Sequence, residues 1–241
     1  HLQFHVSECQ MGGIQWSAAT SWNGAALELY DYVQPARGSR DGNSLERAAK
    51  MSVENIIPTS AGQQERFDSI VAFLQDSIQV ENSHPRRKVH QLIRDKKGDI
   101  FAITGMARAM LNEAGIDAHV ALLHSEDDGY CDPDYIDLNE LSTPAVLATM
   151  DGSQVLAFPY LPLPPGGIPP TYVNQPALLL DSGRFVDIDF PGELEMAIDE
   201  FHSLSIDHTG KISGSVTLTF NALMSYLLRH DLSSIGEERK K

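Results

Sequence analysis

The stretch DIFAITGMARAMLNEAG, residues 99–115, decides how the rest of the chain is read. Asp99 is a good N-cap and Gly115 a good C-terminal stop. Between them Ile100, Ile103, Ala107, Met110, Leu111 and Ala114 keep the segment apolar nearly all round. A helix with no polar face belongs inside a domain, so this one is predicted to be buried and central.

Upstream of it the pattern is helical. Ser21 or Asn23 caps a short helix with apolar positions at Ala25, Leu27, Leu29 and Tyr30. ARGSRDGN (36–43) has the composition of a loop, and a second helix is expected from Leu45 to Ile56. A third runs from about Gln63 to Val80, with Phe67, Ile70, Val71, Phe73, Leu74 and Ile78 on one broad face, and His84-Pro85 breaks it.

Downstream the period changes. HVALLH (119–124), AVLATM (145–150), SQVLAFPY (153–160), ALLL (177–180) and RFVDIDF (184–190) read as strands, with turns at Asp151-Gly152 and Asp181-Ser182-Gly183. Helices first, one buried helix in the middle and an antiparallel sheet after it make an α+β layout. From Leu204, SIDHTGKISGSVTLTF predicts a hairpin around Thr209-Gly210, followed by the amphipathic NALMSYLLRHDL.

The chain has 241 residues, enough for its own core, and 42% hydrophobic content, well above the disordered range. It holds 33 acidic and 18 basic residues, a net charge of −15, which argues against nucleic acid as a partner. No apolar run is long enough to span a bilayer. The opening HLQFHV reads as a strand and not as a leader, so the chain is taken as a processed or excised piece of something longer.

Charge is uneven. No Lys or Arg lies between Arg108 and Arg184, and eleven of the fifteen net negative charges sit there, just after the basic PRRKVHQLIRDKK (85–97). A solvated helix face beside an acidic loop accounts for this, as does steering of a partner. Asp127, Asp128, Asp132, Asp134 and Asp137 offer oxygens suited to calcium, although their spacing is not that of an EF-hand loop, and a solvated acidic loop is the simpler reading. No other metal or cofactor is expected. PYLPLPPGGIPP (159–170) carries six prolines and is expected to be extended and free of ladder bonding: a rigid surface crossover, or a segment that binds in or blocks a groove.

Cys9 and Cys131 are the only cysteines, too few for a disulfide scaffold or a zinc site. Idle thiols are favoured over a Cys9–Cys131 disulfide. Cys131 lies among carboxylates, which raise a thiol's pKa, the reverse of activation.

IRDKKGDIFAITGMARAMLNEAGIDAHVALL resembles the transglutaminase-like, papain-like core of large multi-domain bacterial cell-envelope proteins. SWNGAALELYDYV is similar to the Trp-containing helix that opens that core, and ERFDSIVAFLQDSIQV to the helix before its active site. LAFPYLPLPPGGIPPTYVNQPALLL resembles the segment carrying the third catalytic residue, and SGSVTLTFNALMSYLLRHDL the opening of a following β domain. The resemblance spans roughly 16–230. It implies a core at 16–192, the end of a β-rich region at 1–15 and the start of another at 193–241.

It also implies a triad: a Cys heading the central helix after Gly-Asp, a His on a later strand and an Asp before Pro. Gly98-Asp99 is kept, but the nucleophile position is Ile100, the His position is Thr143 or Pro144, and the Asp position is Phe158. Ile has no lone pair to attack a carbonyl, neither Thr nor Pro accepts a proton near neutral pH, and Phe cannot orient an imidazole. The expectation is therefore a non-catalytic module that binds a protein or peptide, its own flanking β domains among the candidates, in the periplasm or at the cell surface. The alternative is an active cysteine-dependent amide-bond enzyme whose nucleophile has moved to Cys131, with His119 or His124 as base.

Overall fold

The structure, a computed structural model, describes residues 8–11, 14–17, 21–36, 38–58, 60–81, 88–125, 141, 143–164, 166–173, 175–187, 198–221, 224–225 and 228. The expected strand at 1–6, the His84-Pro85 break, Cys131 and the five aspartates of the acidic loop lie outside these residues.

Two short strands, β1 (Glu8–Met11) and β2 (Ile14–Ser17), pair antiparallel. The helices α1 (Trp22–Val33), α2 (Arg40–Ile56) and α3 (Gln63–Ser77) follow. Ser21 caps α1, its Oγ accepting the Gly24 N–H at 3.2 Å. The buried face of α1 is Ala26 and Val33, whereas Leu27 is 46% exposed, contrary to its expected place on the apolar side.

The expected loop at 36–43 is corrected, because α2 begins at Arg40. Ser39 Oγ accepts the Gly42 N–H at 3.0 Å, and a Cβ on Gly42 would meet the Ala36 carbonyl oxygen at 2.4 Å. Ser, Asp and Gly here make a cap and a tight entry rather than a free loop. The third helix also stops sooner than Val80. Ile78 is extended, and β3 (Gln79–Val80) pairs in parallel with β4 (Lys97–Gly98), trading helical bonds for a ladder.

Between β3 and β4 lie a 3₁₀ turn (Val89–Gln91) and the one-turn α4 (Leu92–Asp95). Three of the four described cations of the basic run are paired: Lys88 with Asp41 at 2.8 Å, Arg94 with Asp95 at 2.7 Å and Lys97 with Glu81 at 3.9 Å.

The central helix α5 (Ile100–Glu113) is as the sequence predicts. Asp99 accepts the Ala102 N–H at 2.9 Å, and Ala102, Ile103, Met106, Ala107, Met110 and Leu111 are completely buried. Gly115, at φ +79°, ends the helix in the left-handed conformation that glycine adopts without strain.

Behind α5 stands one antiparallel sheet in the order β7-β6-β5-β8-β9. Its strands are β5 (Asp117–Leu123), β6 (Thr143–Met150), β7 (Ser153–Ala157), β8 (Pro176–Leu179) and β9 (Arg184–Asp187). Asp151 and Gly152 both have positive φ, the primed turn a two-residue hairpin needs.

The strand period of two sorts the side chains onto two faces. Ala118, Val146, Ala148 and Ala157 join the core under α2, α3 and α5, and Val120, Leu122 and Leu178 pack with Ala26 and Val33 of α1. On the opposite face Ala121, Leu123, Ala145, Leu147, Leu156, Ala177 and Leu179 are covered by the proline-rich crossover, whose Leu163 and Ile168 are buried. The crossover is extended as expected, yet it is a wall of the core and not a surface strap. Apolar residues between its prolines complete a face that no helix covers.

Beyond the sheet, β10 (Ile198–Ile206) and β11 (Ile212–Phe220) form a separate two-stranded hairpin whose residues 198–219 are all exposed. The helix-first, sheet-later α+β layout stands.

Candidate functional site

α5 ends beside the start of β5, where Asn112 bonds Ala118, so its first residue Ile100 lies toward the other end of the sheet, where β6 begins and β7 ends, as do Thr143, Pro144 and Phe158. The alternation of β6 separates them, however. Pro144 lies opposite Leu122, which packs toward α1, and Thr143 lies opposite Leu123, which packs toward the crossover. The open choice between the two positions is thus a choice between two faces of the sheet. Pro144 shares the α5 side, and Thr143 faces away from it.

Phe158 goes the same way as Thr143. It is 1% exposed in the crossover cluster, stacked on Tyr172 with ring centroids 5.8 Å apart and edge-on to Tyr160 at 6.4 Å. Tyr172 shares a 2.8 Å hydrogen bond with Thr143 Oγ1, and Tyr160 donates its hydroxyl to the Pro144 carbonyl at 2.8 Å. Phe158, Tyr172 and Thr143 therefore form one contact chain with its polar ends closed, and no proton acceptor of neutral-pH strength belongs to it. Ile100 is half-buried at the head of α5, where its carbonyl accepts from Thr104 Oγ1 at 2.7 Å.

The sequence reading did not single out the residues that close this region. Tyr160 and Tyr172 stand in the crossover and in the 3₁₀ turn that follows it (Pro170–Tyr172). Gln75 of α3 donates its amide to the carbonyls of Leu161 at 2.6 Å, Leu163 at 2.9 Å and Phe158 at 3.4 Å. A proline-rich segment has unpaired carbonyls, and a donor to satisfy them was the one available signal.

The two strand histidines differ. His124 is completely buried just past β5. His119, at the far end of β5, donates Nδ1–H to Asp181 of the β8–β9 turn, and its Nε2 lies 3.5 Å from Asp117. Asp181 Oδ1 and Ser182 Oγ are buried in that turn without hydrogen-bond partners among the described residues. Whether either histidine meets Cys131 lies outside the described residues, as do the pairing of Cys9 with Cys131 and any calcium at Asp127, Asp128, Asp132, Asp134 and Asp137. Among the described residues no group of three or more His, Cys, Asp or Glu is placed to hold a metal ion, and no helix is long and apolar enough to cross a membrane.

A cleft of about 410 Å³ opens at the end of the sheet where β5 begins. Gln34 and Pro35 after α1, Gly42, Leu45, Glu46 and Ala49 of α2, and Arg108, Ala109, Asn112 and Glu113 of α5 line it, together with Asp117, Ala118 and His119 of β5.

No family model matches the sequence, and no curated protein matches it. Solved structures do. A suspected protease from Parabacteroides distasonis superimposes with a TM-score of 0.55 at 18% identity over 78% of this chain. The chain spans 36% of that protein's length. A suspected cysteine protease from Cytophaga hutchinsonii aligns over 80% of this chain and 56% of its own at 11% identity, but its TM-score of 0.38 is too low to carry an argument. What the first likeness establishes is the fold: an α+β, papain-like core.

Proposed function

We propose that this papain-like core is non-catalytic and serves in protein or peptide binding, as a scaffolding module of the bacterial cell envelope. One observation carries the reading. Toward the end of the domain where such a core holds its reacting groups, Ile100 and Pro144 lie on the α5 side, and Thr143 and Phe158 lie on the other face in a cluster with Tyr172, the Thr143–Tyr172 hydrogen bond already made. A covalent route needs a nucleophile, a base and an orienting group in mutual reach, and those positions supply none of the three.

The location and the flanking β modules follow from the family resemblance. In this reading the exposed β10–β11 hairpin begins the next module, because two strands alone are marginally stable in water. The acidic balance of the chain favours a basic or cation-bridged partner.

The test is thiol chemistry. The chain is treated with an epoxysuccinyl inhibitor of papain-type enzymes between acid and neutral pH, and labelling of Cys9 and Cys131 is followed by intact mass. Turnover of a casein substrate, by hydrolysis and by amine incorporation, is measured in parallel. Labelling no faster than a free thiol, with no turnover, is the expected result. Rapid labelling of Cys131 that persists at acid pH, together with turnover, would establish the enzyme in its place.

A further inference from the structure

The cleft at the start of β5 is independent of the papain-type end of the domain, and its charges are specific. Arg108 is half-buried in its wall and makes no hydrogen bond or ion pair among the described residues. It is also the last cation before the all-acidic run that ends at Arg184. A guanidinium held in a wall of fixed shape, with no carboxylate on it, is a ready partner for an oxyanion.

Glu113 lies in the same wall on the last residue of α5 and has no described partner either. The carboxylate and the negative end of the helix dipole there both favour a cation. Gln34 also lines the cleft and has a side-chain oxygen that is buried without a donor among the described residues. Glu46, Asp117 and His119 also line the cleft, which makes the surroundings of Arg108 acidic on balance, and Pro35, Leu45 and Ala109 supply apolar wall.

We propose that this cleft binds a short zwitterion of dipeptide length, its carboxylate on Arg108 and its ammonium toward Glu113 and the C-terminal end of α5. Length follows from the helix. Their backbone positions are five residues apart, about 7.5 Å of rise and about 140° of turn along α5, so both side chains must reach into the cleft to meet one ligand. A free amino acid holds its charges too close together to meet both. Two extended residues span about 7 Å. The volume of about 410 Å³ lies in the range of small-ligand sites.

The probe is alanylalanine, titrated calorimetrically into the whole chain beside N-acetyl-alanylalanine amide, propionate and ethylamine. Binding of alanylalanine is expected at concentrations on the order of 10 mM or below, and each of the other three should bind at least about tenfold more weakly. Arg108→Gln should weaken alanylalanine at least about tenfold, the worth of a charge-assisted hydrogen bond. Glu113→Gln, on an exposed residue that the fold does not need, should weaken it several-fold while leaving propionate unchanged. Melting curves check that both variants fold. No heat with alanylalanine, equal affinity of the doubly blocked dipeptide, or undiminished binding by a folded Arg108→Gln chain would each overturn the proposal. Propionate binding as tightly as alanylalanine would overturn its zwitterionic part and leave a plain anion site.

Discussion

Gln75 of α3 holds Leu161 of the crossover in place, its side-chain amide donating to the Leu161 carbonyl at 2.6 Å across the domain. The same nitrogen reaches the carbonyls of Leu163 and Phe158. One side chain thus satisfies the backbone of a segment that cannot join a sheet, and it sets where Phe158 and Tyr160 lie.

Gln75→Ala should therefore cost more than an ordinary half-buried polar truncation, about 1–3 kcal/mol in urea unfolding. Gln75→Glu should be no milder, since a carboxylate turns an acceptor toward three acceptors. Limited proteolysis of both variants is expected to cut first within 159–170. Unchanged midpoints would show that water replaces the amide at no cost.

Phe158→Ala removes a fully buried ring from between Tyr160 and Tyr172, and should destabilise by about 3–5 kcal/mol. Phe158→Leu should lose less, because most of the volume remains. If both changes left the melting temperature where it was, the aromatic cluster would not be part of the folded core.

Gly105 lies where α1 and α5 touch, and a Cβ there would meet the Val33 carbonyl oxygen at 2.4 Å. Backbone cannot move aside as a side-chain tip can. Gly105→Ala, although a better helix former, should destabilise by about 1–3 kcal/mol through forced separation of the two helices. A chain stabilised by the substitution would mean that α1 packs less closely than described.

The Asp41 carboxyl is held below its usual range, chiefly by the hydrogen bond from Lys88 and further by the charges of Lys88, His90 and Arg40. A depressed folded pKa contributes stability above the unfolded carboxylate pKa, and that stability is lost as pH falls through the folded value. Lys88→Met should flatten this acid-side dependence without altering the neutral-to-alkaline limb. The effect should be small and shrink with added salt, because both groups are in contact with water. Identical pH–stability curves for the two chains would remove the pair from the account.

Much of the fold was legible in local pattern. The apolar girth of 100–113 between Asp99 and Gly115, the alternation of the strands and the Asp151-Gly152 turn each state a local preference strong enough to survive folding. Helix α2 was legible in its body but not at its start, because Ser39 and Gly42 are as common in loops as in caps. The papain-like fold was reached through the quoted motifs, and the superposition bears it out at the level of the fold.

The amino-acid sequence by itself determined the elements and their order, because capping, period and turn chemistry act over a few residues. Only the tertiary structure decided the faces. The pairing of Leu122 with Pro144 sends Pro144 to the α5 side and Thr143 to Tyr172, and a shift of one residue would exchange them. Likewise Gln75 meets carbonyls 83 to 88 residues away, and Arg108 and Gln34 line one cleft. Such contacts join positions far apart in the chain, and neither partner's neighbours in sequence carry a sign of the other.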